Sequence, residues 1–140
     1  MNTAYLLMET AKQLKHQLNF ALSKEGTTAQ QWAVLEALDR LAPASSPITA
    51  ARVAAEIDSD RQTTAAVVLR LADKGWLSRT PSTEDKRAIV LALTTAGKAK
   101  VAALQTVASR TLTTFLHPLP AAQQEQLTDM LTQLLEENHD

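Results

Sequence analysis

Apolar residues recur every three or four positions along most of the chain, and between residues 76 and 93 the period shortens to two. The first pattern is that of amphipathic helices and the second that of strands. Residues 3–23 carry Leu7, Ala11, Leu14, Leu18 and Ala21 or Leu22 on one stripe, with alternating four- and three-residue steps, so a packed helix is expected there. Gly26 stops it. Thr28-Ala29-Gln30-Gln31 has the form of a capping box and opens a second helix, whose buried side is Trp32, Leu35, Leu38 and Leu41. Pro43-Ala44-Ser45-Ser46-Pro47 cannot continue it. Ile48 then suits a minimal strand, and Thr49 caps a short third helix running through Glu56, with Val53, Ala54 and Ile57 inward.

Asp58-Ser59-Asp60 reads as a turn. Ser59 with Gln62 repeats the capping-box spacing and opens a fourth helix over 60–74, where Thr64, Val67, Val68 and Leu71 fall at i, i+3, i+4 and i+7 and face inward. Gln62, Thr63, Ala66, Arg70 and Asp73 are left outward. Gly75 ends the helix, with Lys74 in its last turn, where a cation is favoured. Strands are expected over 76–80 and 87–93, joined by the turn residues Pro81-Ser82-Thr83-Glu84-Asp85. Thr94 and Thr95 cap a long helix over 95–116 striped by Val101, Leu104, Ala108, Leu112 and Phe115. His117-Pro118-Leu119-Pro120 breaks it, and a last helix follows with Leu127, Met130, Leu131, Leu134 and Leu135 on one face. The order is four helices, a hairpin and two helices: a mainly α fold with a small β-hairpin wing. Its outer helices are more apolar than a chain of 140 residues can cover alone, and a symmetric homodimer is expected.

Composition narrows the function. Aromatics are 4% of the residues, so the core is built from Leu, Ala and Val. The absence of cysteine excludes disulfides, thiolate metal sites and cysteine redox switches. No apolar run approaches the ~18 residues of a membrane span, and the first residues lack the basic start of a secretory signal, so a cytoplasmic protein is expected. Net charge is −1 but unevenly spread. Residues 49–100 hold nine Lys/Arg against six Asp/Glu, a net +3, and the remainder five against nine, a net −4. A basic middle on an acidic frame suits a segment that faces nucleic acid.

Two helices joined by a tight turn can set the second one, 60–74, into a major groove. Its first turn offers Arg61, Gln62, Thr63 and, turned further inward, Thr64. Arg pairs with guanine, Gln with adenine, and the methyl of Thr meets thymine. Thr49, Ser59 and the helix amides would hold phosphates. The hairpin tip presents Lys86 and Arg87 to the backbone or minor groove, with Asp85 expected to orient Arg87. His16, His117 and His139 lack metal-ligand spacing. No catalytic triad, glycine-rich phosphate loop or carboxylate pair stands out, so neither an enzyme nor a cofactor or metal is expected. No charged cluster or aromatic cage picks out a ligand site.

Gly75-Trp76-Leu77-x-Arg79, Glu84-Asp85-Lys86-Arg87-Ala88 and Val90-Leu91-Ala92-Leu93-Thr94-x-x-Gly97 together resemble the signature of the MarR family of winged helix-turn-helix transcriptional regulators. Gln31-Trp32-x-Val34-Leu35 and the helix order extend the resemblance over nearly the whole chain. It implies one domain, with a winged-helix DNA-binding region at 28–97 and dimerisation helices at 1–24 and 98–140. It also implies a homodimer that binds double-stranded DNA at a palindromic operator. The implied function is a repressor released by a small aromatic or anionic effector. Arg87 then corresponds to the wing arginine, Asp85 to the acid that braces it, and residues 61–64 with Arg70 to the recognition helix. Ala66, Leu69 and Thr64 depart from the family pattern: the first two are apolar where polar residues are usual, and Thr64 is polar where an apolar residue is common. The alternative from another class is a winged helix used for protein–protein binding, which the near-neutral charge favours.

Overall fold

A computed structural model describes residues 1–85 and 87–139. Lys86 and Asp140 lie outside the described residues. The element order is α1 (Thr3–Ser23), α2 (Ala29–Leu41), α3 (Ala50–Glu56), α4 (Arg61–Asp73), β1 (Leu77–Pro81), β2 (Ile89–Leu93), α5 (Thr95–Leu116) and α6 (Ala121–Asn138). The expected sequence of four helices, hairpin and two helices is therefore present.

The core gathers around α2. Val34, Leu35, Ala37 and Leu38 are fully or almost fully buried, and they share one cluster with Val53 of α3, Val67, Val68 and Leu71 of α4, Leu77 and Leu91 of the hairpin, and Val101 and Leu104 of α5. α1 sends Leu22 into this cluster through its last turn. Thr28 caps α2 as expected, its side chain accepting from the Gln31 N–H. The side chain of Gln31 does not complete the box. It turns inward and accepts a hydrogen bond from Lys74 Nζ at 2.9 Å.

β1 and β2 pair antiparallel, with Leu77 opposite Leu93 and Pro81 opposite Ile89. The strands start later than the hydrophobic alternation suggests, at Leu77 and Ile89 rather than 76 and 87. Trp76 still belongs to the tight helix exit that follows Gly75, whose φ of 80° only glycine adopts freely. Ile48 contributes one hydrogen bond to the sheet, its carbonyl accepting from Leu91 N–H at 2.8 Å, in place of a full strand.

Four helices are capped by Asn2, Thr28, Thr49 and Thr94 side chains, each accepting from an amide three residues on. α6 differs. None of its residues is buried within one chain, and Met130, Leu131, Leu134 and Leu135 are between 41% and 74% exposed.

Candidate DNA-binding site

The connection from α3 to α4 is made by Asp58, which takes a left-handed φ of 53°, a conformation Asp tolerates better than most residues. Ser59 N–H returns to Ala54 carbonyl at 2.9 Å, and the two helices are joined through four residues, Ile57 to Asp60. The cap of α4 is Asp60, not Ser59. Its Oδ1 accepts from Thr63 N–H at 2.7 Å and its Oδ2 from the Thr63 hydroxyl at 2.8 Å. α4 accordingly begins at Arg61, one residue later than the Ser59 box implies.

These bonds favour the ionised carboxylate. The backbone bond from Thr63 and then its hydroxyl bond hold the Asp60 pKa below the ordinary aspartate value. A carboxyl group with a depressed folded pKa contributes stability above its unfolded pKa and loses it as pH falls through the folded value. Asp60→Asn, which can still accept from Thr63 N–H, should lose that part of the acid sensitivity. Thermal melts of both proteins at neutral pH and below the ordinary aspartate range should converge or diverge accordingly.

Along α4, the buried side is Thr64, Val67, Val68 and Leu71, the four positions expected from their spacing. Arg61, Gln62 and Arg70 are exposed. Thr63 is half-buried with its hydroxyl committed to Asp60, which leaves its methyl as the unbonded part of the side chain. Thr64 is a correction to the expected set of DNA contacts. It is 1% exposed, and its Oγ1 is buried without a partner among the described residues, so it belongs to the core. Thr49 and Ser59 are half-buried at the ends of α3. Thr49 Oγ1 accepts from Arg52 N–H at 3.2 Å, which leaves its hydroxyl proton to donate. The hydrogen bond of Ile48 to Leu91 sets Thr49 beside the hairpin.

At the wing tip, Ser82 Oγ accepts from the amides of Glu84 and Asp85, and Ala88 N–H donates to the Asp85 carbonyl at 3.0 Å. Asp85 meets Arg87 through the backbone and not through the guanidinium. Its Oδ1 accepts from the backbone N–H of Arg87 at 3.0 Å and makes no ion pair with the guanidinium. The exposed Arg87 side chain is thus left available for an outside partner. Lys86, the remaining expected contact, lies outside the described residues.

Two lysines give the site a support that local sequence patterns do not reveal. Lys74 Nζ, at the end of α4, donates to Gly26 carbonyl at 2.7 Å and to Gln31 Oε1, and lies 4.7 Å from the centre of the Trp76 ring. Lys100 Nζ on α5 donates to Glu25 carbonyl at 2.8 Å and lies 5.0 Å from the same ring. Together they tie the end of the exposed helix and the start of α5 to the corner between α1 and α2.

A helix pair with a four-residue connection, a second helix with exposed Arg and Gln side chains, and a hairpin with an exposed arginine at its tip define a winged helix-turn-helix, a frame on which DNA-binding proteins carry a recognition helix. Residues 25–88 match the model of the MarR family. Wild-type MarR of E. coli superposes with a TM-score of 0.82 at 24% identity, over 96% of this chain and 98% of that one. MepR, a transcription regulator of the Staphylococcus aureus multidrug efflux pump MepA, superposes with a TM-score of 0.80 at 21% identity, over 99% and 100%. A MarR family protein of Mycobacterium tuberculosis in complex with salicylic acid is 26% identical over 96% of both chains, with a TM-score of 0.77. No curated protein sequence matches. The chain is thus similar to the MarR family over its winged-helix region, residues 25–88, and in its overall fold. These likenesses support the coarse reading of a DNA-binding transcription regulator. No helix among the described residues is long and apolar enough to cross a membrane.

Proposed function

We propose that the protein is a homodimeric repressor that binds a palindromic operator and leaves it when a small aromatic or anionic ligand binds. In this reading residues 28–97 contact DNA, while residues 1–24 and 98–140 hold the partner copy. Arg61, Gln62, Thr63 and Arg70 lie in or along the major groove, Thr49 and Ser59 meet phosphates, and the wing brings Lys86 and Arg87, braced by Asp85, to the minor groove. The observation that carries the reading is the pairing of an exposed Arg61–Gln62 first turn with an exposed wing Arg87 in one winged-helix frame.

Two further observations support the rest. α6 buries nothing within one chain, and an apolar groove of about 470 Å³ runs between α1, α5 and α6, lined by Leu6, Leu7, Leu14, Leu112, Phe115, Leu127 and Leu131 among others. A solitary helix with such a face is not stable in water, and a second copy is the simplest cover. Between α1 and α5, a cleft of about 450 Å³ combines Arg110 and His16 with Phe20, a set that suits an aromatic carboxylate. The mycobacterial relative solved with salicylic acid makes that ligand the first to try.

Arg87→Ala is expected to weaken binding to a palindromic duplex by about tenfold or more, within the ~1–3 kcal/mol range of a DNA-reading arginine. Fluorescence anisotropy of a labelled duplex measures this, and the wild-type affinity should fall steeply with added salt. Unchanged affinity in the variant would remove the wing from the interface. Titrating salicylate into the preformed complex tests release.

A further inference from the structure

The outward surface of α4 has an unusual chemical make-up for a helix that meets a polyanion. Opposite the buried stripe stand Gln62, Ala66 and Leu69, at i, i+4 and i+7, with Ala65 beside them. All four are exposed, and Leu69 is 49% exposed. Every other large hydrophobic residue found exposed is Met1 or lies on α1, α5 or α6, where an apolar cover is already expected. Leu69 has no such explanation. Arg70 follows it directly and Arg61 stands in the first turn of the helix; both are exposed, and neither has a carboxylate within ion-pair distance among the described residues. The patch is therefore a small apolar strip framed by unpaired cations.

We propose that this strip reads the C5-methyl groups of thymine, so that each operator half-site carries A·T base pairs under the middle of α4. The inference rests on the reading of α4 as the groove-inserted helix, and specifies what that helix recognises. In the major groove the thymine methyl is the one apolar base feature, and Ala or Leu side chains are its natural partners. Gln62, on the same stripe and one turn earlier, matches the N6 and N7 edge of adenine, the partner base of thymine. The flanking guanidinium groups of Arg61 and Arg70 supply the complementary charge for phosphates on either side. The committed Thr63 hydroxyl leaves a further methyl, in place of a donor, in the first turn. Asp73 lies on the same stripe one turn beyond Leu69, where a carboxylate opposes phosphate and marks the end of the reading segment.

The test begins with duplexes selected by the full-length protein from a random pool. Each thymine in the half-sites of the best duplex is then replaced by deoxyuridine, which removes the methyl and keeps the pairing. Wild type is expected to lose about fourfold in affinity for each methyl contacted by the strip, the factor for one buried apolar carbon. Leu69→Ala should bind the thymine duplex correspondingly weaker and should lose little more on the uracil duplex, while remaining the size of wild type in gel filtration. Selected half-sites without thymine, or equal wild-type affinity for the thymine and uracil duplexes, would overturn the inference while leaving DNA binding intact. Dissociation of Leu69→Ala into monomers would assign the strip to self-association and overturn it as well. Failure to enrich any duplex would count against the DNA-binding reading itself.

Discussion

Gly97→Ala should lower the unfolding midpoint by roughly 10 °C, although alanine inside a helix ordinarily adds about 1 kcal/mol of stability over glycine. Gly97 lies in the first turn of α5, where the helix passes directly over the backbone of Trp76. A Cβ there would stand 1.8 Å from the Trp76 carbonyl oxygen and 2.8 Å from its carbon. The obstacle is main chain, and it is tied down. Trp76 O accepts from Thr94 N–H at 3.2 Å, and Gly75 O accepts from the Thr94 hydroxyl at 2.6 Å. Relief requires α5 to move away from the hairpin, which uncovers Leu91 and Val101. The cost falls at the upper end of the ~1–3 kcal/mol usual for overpacking. Calorimetry or a circular-dichroism melt gives the sign directly, and a midpoint equal to or above wild type would contradict the packing described here.

Leu131→Asp is expected to convert the proposed dimer to monomers and to reduce affinity for a palindromic duplex by about a hundredfold or more. Leu131 is 41% exposed in the single chain and lines the apolar groove with Leu7 and Leu112. A carboxylate at this position is readily solvated in a monomer and is desolvated in the dimer, so the substitution acts on association alone. Because α6 contributes no buried residue to the core, the winged-helix lobe should melt as a folded unit. The loss of DNA affinity follows from the loss of the second half-site, since linked sites commonly gain ~10²–10⁴ in avidity. Gel filtration and light scattering check the first part and duplex binding the second. A Leu131→Asp protein that remains dimeric would move the contact to another surface.

Much of the fold is legible in the sequence because it is local. The inner face of α4 follows from the spacing of Thr64, Val67, Val68 and Leu71, and the bounds of α1 and α5 follow from their stripes and stops. The errors arise where local rules tie. Ser59 and Asp60 are both good caps with a polar residue three positions on, and the choice falls to Asp60 because Asp58 makes the tight turn first. Thr64 shows the converse problem. Its spacing marks it as inward, whereas its hydroxyl and its place in the first turn of α4 suggest a DNA contact; burial decides for the core.

What the sequence conceals is tertiary. Lys74 looks like an ordinary cation at a helix end, yet its partners are Gly26 and Gln31, which no periodicity links to it. Gly97 is visible as part of the Leu93-Thr94-x-x-Gly97 signature, but the reason for glycine, the carbonyl of Trp76, appears only with the packing. Asp85 and Arg87 are similar. Their proximity is obvious from the chain, while the choice of backbone over guanidinium as the Asp85 partner depends on the turn.

The position of Trp76 between two ammonium groups also gives the protein an optical probe of its own. Indole emission responds to nearby charge, and Lys74 reports the end of α4 while Lys100 reports the start of α5. Any rotation of the long helices against the winged lobe changes the distance from one of these charges to the ring. The other indole, Trp32, packs against the core from α2 with its Nε1 buried, and so serves as a steady reference. The intrinsic fluorescence of the unlabelled protein therefore carries a signal for movement at the joint between the long outer helices and the winged lobe.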